Sequence, residues 1–325
     1  MSPAPSDGGA GERSHPEALG RAILPPGSPE LRVLVERRPA RMLRDVALHG
    51  SLILASFALV AARPALWSFA IAFVIIGNCQ YALSILTHEG NHGSLFRRRS
   101  TNDTFCRWVL CAPLGVDFEG ERDNHLEHHR LFATVSDPDR YLYRLEDKNS
   151  RARLLFFLTG FSSLPHILEK ARKRRAPDPK DRAAPGFFSR GRRPTLILQL
   201  AIFLVMSRFF PLWAYVALWL APLYVMAFVP HKIRMLCEHA ALVLPDEAAD
   251  GSRLLTFRPS ALEKQLIAPV GLSFHAEHHM FPSIPYYHLP HVAPLVEGQR
   301  GVTVRRSYLG FLAECLRRLP LSKSI

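Results

Sequence analysis

The sequence predicts an all-α integral membrane protein: four transmembrane helices in two hairpins, short interfacial helices between them, and a helical cap on the cytoplasmic side. Three features predict it. Apolar residues gather into paired runs of membrane-spanning length, basic residues flank each pair, and histidines crowd into three short windows. The averages conceal this pattern, because 48% hydrophobic and 21% charged residues over a chain of 325 would suit a soluble domain.

Residues 1–28 are rich in Pro, Ser, Gly and Ala and lack an apolar core. They are expected to form a disordered tail with no signal peptide, ahead of one membrane domain over 29–325. Pro29 to Arg44 mixes Leu31, Val33, Leu34 and Val35 with Arg32, Arg37, Arg38, Arg41 and Arg44, the composition of an interfacial helix. Val46 to Ala62 is one apolar run and Pro64 to Leu86 another, with Arg63-Pro64 breaking the chain between them. A helix crosses a bilayer in about 20 residues, so the two runs form a first hairpin with Arg63 at its tip. Thr195 to Phe210 and Leu212 to Val229 form a second, with Pro211 at the turn and Arg208 beside it, long enough to snorkel to the interface. The first of these two runs is short and suits a thinner bilayer.

Phe105 to Val116 and Leu154 to Leu164 are apolar but too short to span, and are expected to lie in the interface or re-enter it. Ile167 to Arg193, with Lys170, Arg172, Lys173, Arg174 and Arg175, reads as a basic cytoplasmic loop. The chain after Val229 reads as a mostly helical cap.

Charge placement orients the hairpins. Arg37, Arg38, Arg41 and Arg44 precede the first, and Arg97, Arg98 and Arg99 follow it. Arg190, Arg192 and Arg193 precede the second, and Lys232 and Arg234 follow. Basic flanks stay in the cytoplasm, which puts both termini and all three histidine windows on that side. The net charge of +13 is therefore a topology signal and not a nucleic-acid footprint. Five cysteines with no Cys-x-x-Cys pair supply neither a disulfide framework nor a zinc ribbon.

The chemistry lies in the histidines. His88-Glu-Gly-Asn-His92 ends the second apolar run, His125-Leu-Glu-His128-His129 follows between the hairpins, and His275-Ala-Glu-His278-His279 follows the second hairpin. On a helix, residues four apart share a face about 6 Å apart along the axis, so His88 and His92 can point at one metal. In His-x-x-His-His the first and fourth positions share a face and the fifth lies beside them, a pattern able to serve two adjacent metals. Imidazole binds iron, copper, nickel and zinc alike, so the ligand type leaves the metal open. His88-Glu89-x-x-His92 also fits an intramembrane zinc metalloprotease, in which Glu89 would be the general base. That alternative leaves the other two windows unexplained. A ferritin-like carboxylate site would need two Glu-x-x-His motifs, and only Glu89 to His92 supplies one. A histidine-rich metal-handling membrane protein is a third, non-catalytic alternative.

The three windows, in this order and spacing, resemble the histidine boxes of the membrane fatty acid desaturase superfamily. Thr-His-Glu-Gly-Asn-His-Gly-Ser-Leu-Phe around the first box agrees, as do Ser136-Asp-Pro-Asp139 after the second and Met280-Phe-Pro-Ser-Ile-Pro-Tyr-Tyr-His-Leu-Pro290 after the third. The resemblance runs from about Arg44 to Val296 and implies two iron ions, with O2 as co-substrate, held by His88, His92, His125, His128, His129, His275, His278 and His279. It also implies a ninth ligand, His239, with His231 as the weaker candidate. Glu89, Asp117, Glu121, Glu127, Glu238, Glu277 and His288 are candidates for orienting those imidazoles through hydrogen bonds. Tyr286 and Tyr287 would line an acyl tunnel or anchor the interface. The implied substrate is a fatty acyl chain on a membrane lipid or a thioester. The chain contains no His-Pro-Gly-Gly haem motif, so electrons are expected from a separate donor of ferredoxin, rubredoxin or cytochrome b5 type. Hydroxylases, ketolases, and sphingolipid or small-metabolite desaturases share the ligand set and stay open as alternatives. In a bacterium the expected location is the cell membrane.

Overall fold

A computed structural model describes residues 16–132, 134, 136–144, 148–161, 192–239, 254–299 and 301–321. The first described element is a helix, α1 (Pro16–Ile23), where the sequence suggested a featureless tail. Its Leu19 and Ile23, with Leu24 just after it, join an apolar cluster with Met280, Phe281 and Ile284. Gly20 packs so tightly on the Met280 backbone that a Cβ would collide with the carbonyl there. Low overall hydrophobicity hid three well-placed apolar residues. Residues 1–15 lie outside the described residues.

Helix α2 (Pro29–Leu34) starts at Ser28, whose hydroxyl accepts from the Leu31 amide at 3.3 Å, and Pro29 occupies the first turn, where its missing N–H costs nothing. The chain runs on into α3 (Pro39–Ala62), turns at Arg63-Pro64, and returns as α4 (Leu66–Asn91). The Ser68 hydroxyl donates to the Ala65 carbonyl at 2.7 Å and secures that return. Along α3, Leu48, Leu52 and Leu54 are exposed, which is where a lipid-facing helix carries its leucines. α4 is buried along most of its second half.

Beyond α4, α5 (Arg99–Phe105) runs into a wide π turn at Cys106–Cys111 and a 3-10 turn at Ala112–Leu114. α6 (Phe118–Arg130), α7 (Arg140–Tyr143) and α8 (Arg151–Leu158) follow. Trp108, Val109, Leu155 and Phe156 are exposed on the two segments read as interfacial, of which 162–164 fall outside the described residues. So does the basic loop up to residue 191.

α9 (Arg193–Phe209) and α10 (Trp213–His239) complete the apolar helices. α10 contains π stretches at Val216–Leu220 and Leu223–Phe228 around Pro222 and before Pro230, where missing N–H donors loosen the helical ladder. Gly77 of α4 lets α10 approach closely: a Cβ there would stand 2.5 Å from the Met226 side chain and 2.6 Å from the Pro222 carbonyl oxygen. Among the described residues three helices are long and apolar enough to cross a membrane: Pro29–Ala62, Leu66–Asn91 and Trp213–His239. The 17 residues of α9 reach only about 26 Å at 1.5 Å per residue, less than a typical hydrocarbon core of about 30 Å.

The cap departs from the all-α expectation. β1 (Leu254–Phe257) pairs in parallel with β2 (Val302–Arg305), Leu254 opposite Val302 and Phe257 opposite Arg305. α11 (Ala261–Ile267), α12 (His275–Met280) and α13 (Leu289–Val296) form the crossover, and α14 (Tyr308–Arg318) follows β2. Each strand has four residues, too short for its period of two to stand out beside the helical runs. The sheet matters for position, because β1 packs against α12, the helix of the third histidine window.

Candidate metal centre

Four helices deliver the histidines. His88 lies in the last turn of α4 and His92 caps that helix. α6 is polar along its length, yet it buries His125, His128 and His129 on one face. α12 is wholly buried and supplies His275, His278 and His279. His239 is the last residue of α10.

The rings meet in two adjoining groups. His88, His92, His125, His129 and His278 each offer one nitrogen within 4.8 Å of the others. Within this group the Nε2 atoms of His92 and His125 are 2.7 Å apart, and those of His129 and His278 are 3.1 Å apart. His128, His239 and His279 form the second group by the same measure. The groups touch where the His129 and His279 rings stack at 4.3 Å. His275 stands beside the second group, its ring 4.5 Å from His239 and 4.4 Å from His279, with a buried Nε2 that has no partner among the described residues. Both ring nitrogens of His239 are equally without a partner. His231 is two turns earlier on α10, about 12 Å away along the axis, and joins neither group.

These contacts suit a bound cation. Two neutral imidazoles at 2.7–3.1 Å can share one N–H as a hydrogen bond, or both can turn lone pairs to a cation between them. A proton is a poor candidate for that cation. Burial, with neighbouring imidazoles, pushes His92 down to about 3 and holds His125, His129, His275, His278 and His279 well below the usual histidine range. Buried neutral imidazole is the ligand form, so the donor set fits soft-to-borderline transition metals.

Two carboxylates orient ligand candidates. Asp137 accepts from His128 Nδ1 at 2.9 Å and so turns Nε2 toward the second group. Glu238 stands 3.2 Å from His275 Nδ1 and also pairs with Arg234. Glu238 was among the sequence candidates, whereas Asp137 was not singled out, although it stands in the Ser136-Asp-Pro-Asp139 stretch.

Other candidates lie elsewhere. Glu127 pairs with exposed Arg130, because it is two residues from His125 on α6 and therefore points to the opposite side. The same offset turns Glu277 away from its helix's histidines, to accept from Thr256 at 2.7 Å and pair with Arg258. It fastens α12 to β1. Glu121 is exposed one turn before His125, and Asp117 flanks the start of α6, about 12 Å along the axis from that histidine. His288 rests on Tyr287 at 4.8 Å, outside both groups.

Glu89 takes the Tyr286 amide at 2.9 Å and stands 3.7 Å from His88 Nδ1. Its carboxylate thus binds backbone, and three further imidazoles crowd His88 and His92 where a protease zinc would keep an open position. Tyr286 and Tyr287 act as bolts. The Tyr286 hydroxyl donates to Asp45, while the Tyr287 hydroxyl accepts from the Arg38 amide at 2.6 Å and lies under the Arg41 guanidinium.

The family model for fatty acid desaturases matches residues 33–306, most of the chain and every histidine of both groups. No curated protein matches the chain closely enough to count as a relative.

Proposed function

The chain belongs to the fatty acid desaturase family, and on that premise we propose that it is an O2-dependent, di-iron membrane oxidoreductase that introduces a double bond into a fatty acyl chain. The single observation that carries this is the pair of adjoining histidine groups, one of five and one of three with His275 alongside. His88, His92, His125, His129 and His278 would hold one iron, and His128, His239, His275 and His279 the other.

An unactivated methylene has no acidic proton and no leaving group, so side-chain acids, bases and nucleophiles cannot break its C–H bonds. When bound, two iron ions supply the dioxygen chemistry that takes one hydrogen from each of two neighbouring carbons. The protein's share is arrangement. Burial keeps His92, His125, His129, His275, His278 and His279 neutral, and Asp137 and Glu238 fix which nitrogen of His128 and His275 faces inward. The fastenings of Tyr286 and Tyr287 to the start of the first hairpin hold the third box against the first.

The acyl substrate is lipid- or thioester-linked, and electrons come from a separate donor of ferredoxin, rubredoxin or cytochrome b5 type. α9 with α10 forms the second hairpin, which makes four spans. Both termini and the metal centre face the cytoplasm, as the basic flanks require. Hydroxylation or ketolation is the alternative outcome on this ligand set, because it depends on sub-ångström placement of the C–H bonds.

Expression in a host lacking the activity, followed by lipid analysis, tests the proposal. New double bonds that vanish with His128→Ala and with His278→Ala are the expected result. New hydroxyl groups would move the reaction to hydroxylation. An unchanged lipid profile from iron-loaded protein with a competent donor would overturn the acyl substrate.

A further inference from the structure

Two tyrosines distant in sequence end in the same arrangement. The Tyr143 hydroxyl donates to Asp137 Oδ2 at 2.6 Å, and Asp137 in turn holds His128 Nδ1 at 2.9–3.0 Å. The Tyr308 hydroxyl donates to Glu238 Oε1 at 2.7 Å, and Glu238 Oε2 stands 3.2 Å from His275 Nδ1. All six side chains are buried. Both chains lead to the second histidine group: His128 belongs to it and His275 borders its His239 and His279. Tyr143 touches that group a second time, its ring stacked on His239 at 4.9 Å.

We propose that Tyr143 and Tyr308 are positioning residues that set the orientation and donor strength of His128 and His275, and so tune the second metal position selectively. A carboxylate accepting from Nδ1–H makes the far nitrogen a stronger donor and locks the ring. A phenol hydrogen bond draws charge from the same carboxylate and fixes its rotation, so it trims donor strength while it adds rigidity. In the Glu238 chain the Arg234 guanidinium also pairs with the carboxylate. In the Asp137 chain the Asp139 amide donates to Oδ1 at 2.8 Å. Each carboxylate is thus held at both oxygens, and the phenol is the removable contact. Tyr308 supports its chain from α14, beyond the three boxes, and its ring stacks on Phe257 of β1 at 4.0 Å. That packing survives the loss of the hydroxyl.

The inference rests on the proposal that the two groups hold two iron ions. The test loads full-length protein in lipid nanodiscs with 57Fe and records Mössbauer spectra of wild type, Tyr143→Phe, Tyr308→Phe and Asp137→Asn, with iron per chain. The expected result is two iron environments in wild type, with the same one altered in every variant and the other unchanged. Weakening of that one site should be largest for Asp137→Asn, about 10–100-fold as for other hydrogen-bond partners of metal ligands, and smaller for the phenylalanine variants. If a variant does not load iron, Co2+ titration replaces the spectrum. Loss of one of two equivalents supports the inference; loss of both or of neither overturns it. Unchanged spectra, or equal changes in both environments, also overturn it. Wild-type protein binding fewer than two ions would instead overturn the di-iron proposal.

Discussion

Glu89 marks the difference between what a motif suggests and what a side chain does. In the sequence it completes a protease-like His-Glu-x-x-His, yet its carboxylate is committed to the Tyr286 amide. Glu89→Gln keeps an acceptor for that amide and should keep iron and product, whereas a zinc protease would need the carboxylate. Glu89→Ala leaves a buried N–H unpaired and should cost about 1–3 kcal/mol in unfolding measurements in detergent. If Gln and Ala variants were equally stable, the amide contact would not be the residue's role. Replacing a histidine of either group differs in kind. His128→Ala and His278→Ala should each abolish product outright, while a metal-handling protein would lose loading gradually. Metal analysis alongside product analysis separates the two. Glu127 and Glu277 carry a lesson of the same kind: both stand between box histidines in the sequence, and helical geometry sends both away from the histidine groups.

At the scale of the element, α12 is a six-residue helix that carries three site histidines, and no helix that short is stable by itself. Its neighbours hold it. Glu277 fastens it to β1, and α1 packs along it through Gly20. Gly20→Val should drive α1 away from Met280 and lower iron content per chain, and an unchanged iron content would show α1 to be dispensable for the site. Gly77 is the matching position between membrane helices. Gly77→Leu would overfill the α4–α10 contact and should lower stability by about 1–3 kcal/mol, the range for overpacked cores, read as an earlier thermal transition in detergent. The long helices α3, α4, α9 and α10 were plain in the sequence because each rests on a long apolar run. α1, β1 and β2 were not, because a handful of apolar residues acquires meaning only from the surface it meets.

For the whole molecule, topology is the feature most open to direct test. With the basic flanks in the cytoplasm, Arg63→Cys at the first hairpin tip should react with an impermeant thiol reagent added outside intact cells. A cysteine placed at Arg98 should react only after the cells are opened. The opposite pattern would invert the protein and move the histidine groups outside. The short α9 adds a second consequence: activity in vesicles should fall as acyl chains lengthen, because a helix of about 26 Å must then thin the bilayer around it.

The sequence alone determined the membrane class, the order of the long helices, their basic flanks and the three histidine windows. Those properties are local, written in run length, charge and spacing. It also identified the family, since the boxes are spaced motifs. Only the tertiary structure sorted the histidines into a group of five and a group of three with His275 alongside, because the first group draws on α4, α6 and α12 and the second on α6, α10 and α12. Only the structure put Asp137 and Glu238 behind His128 and His275 and sent Glu127 and Glu277 elsewhere. A carboxylate's partner is set by which neighbour packs beside it, and the tyrosines that reach Asp137 and Glu238 come from 6 and 70 residues away. No spacing rule within one segment encodes a contact of the second kind.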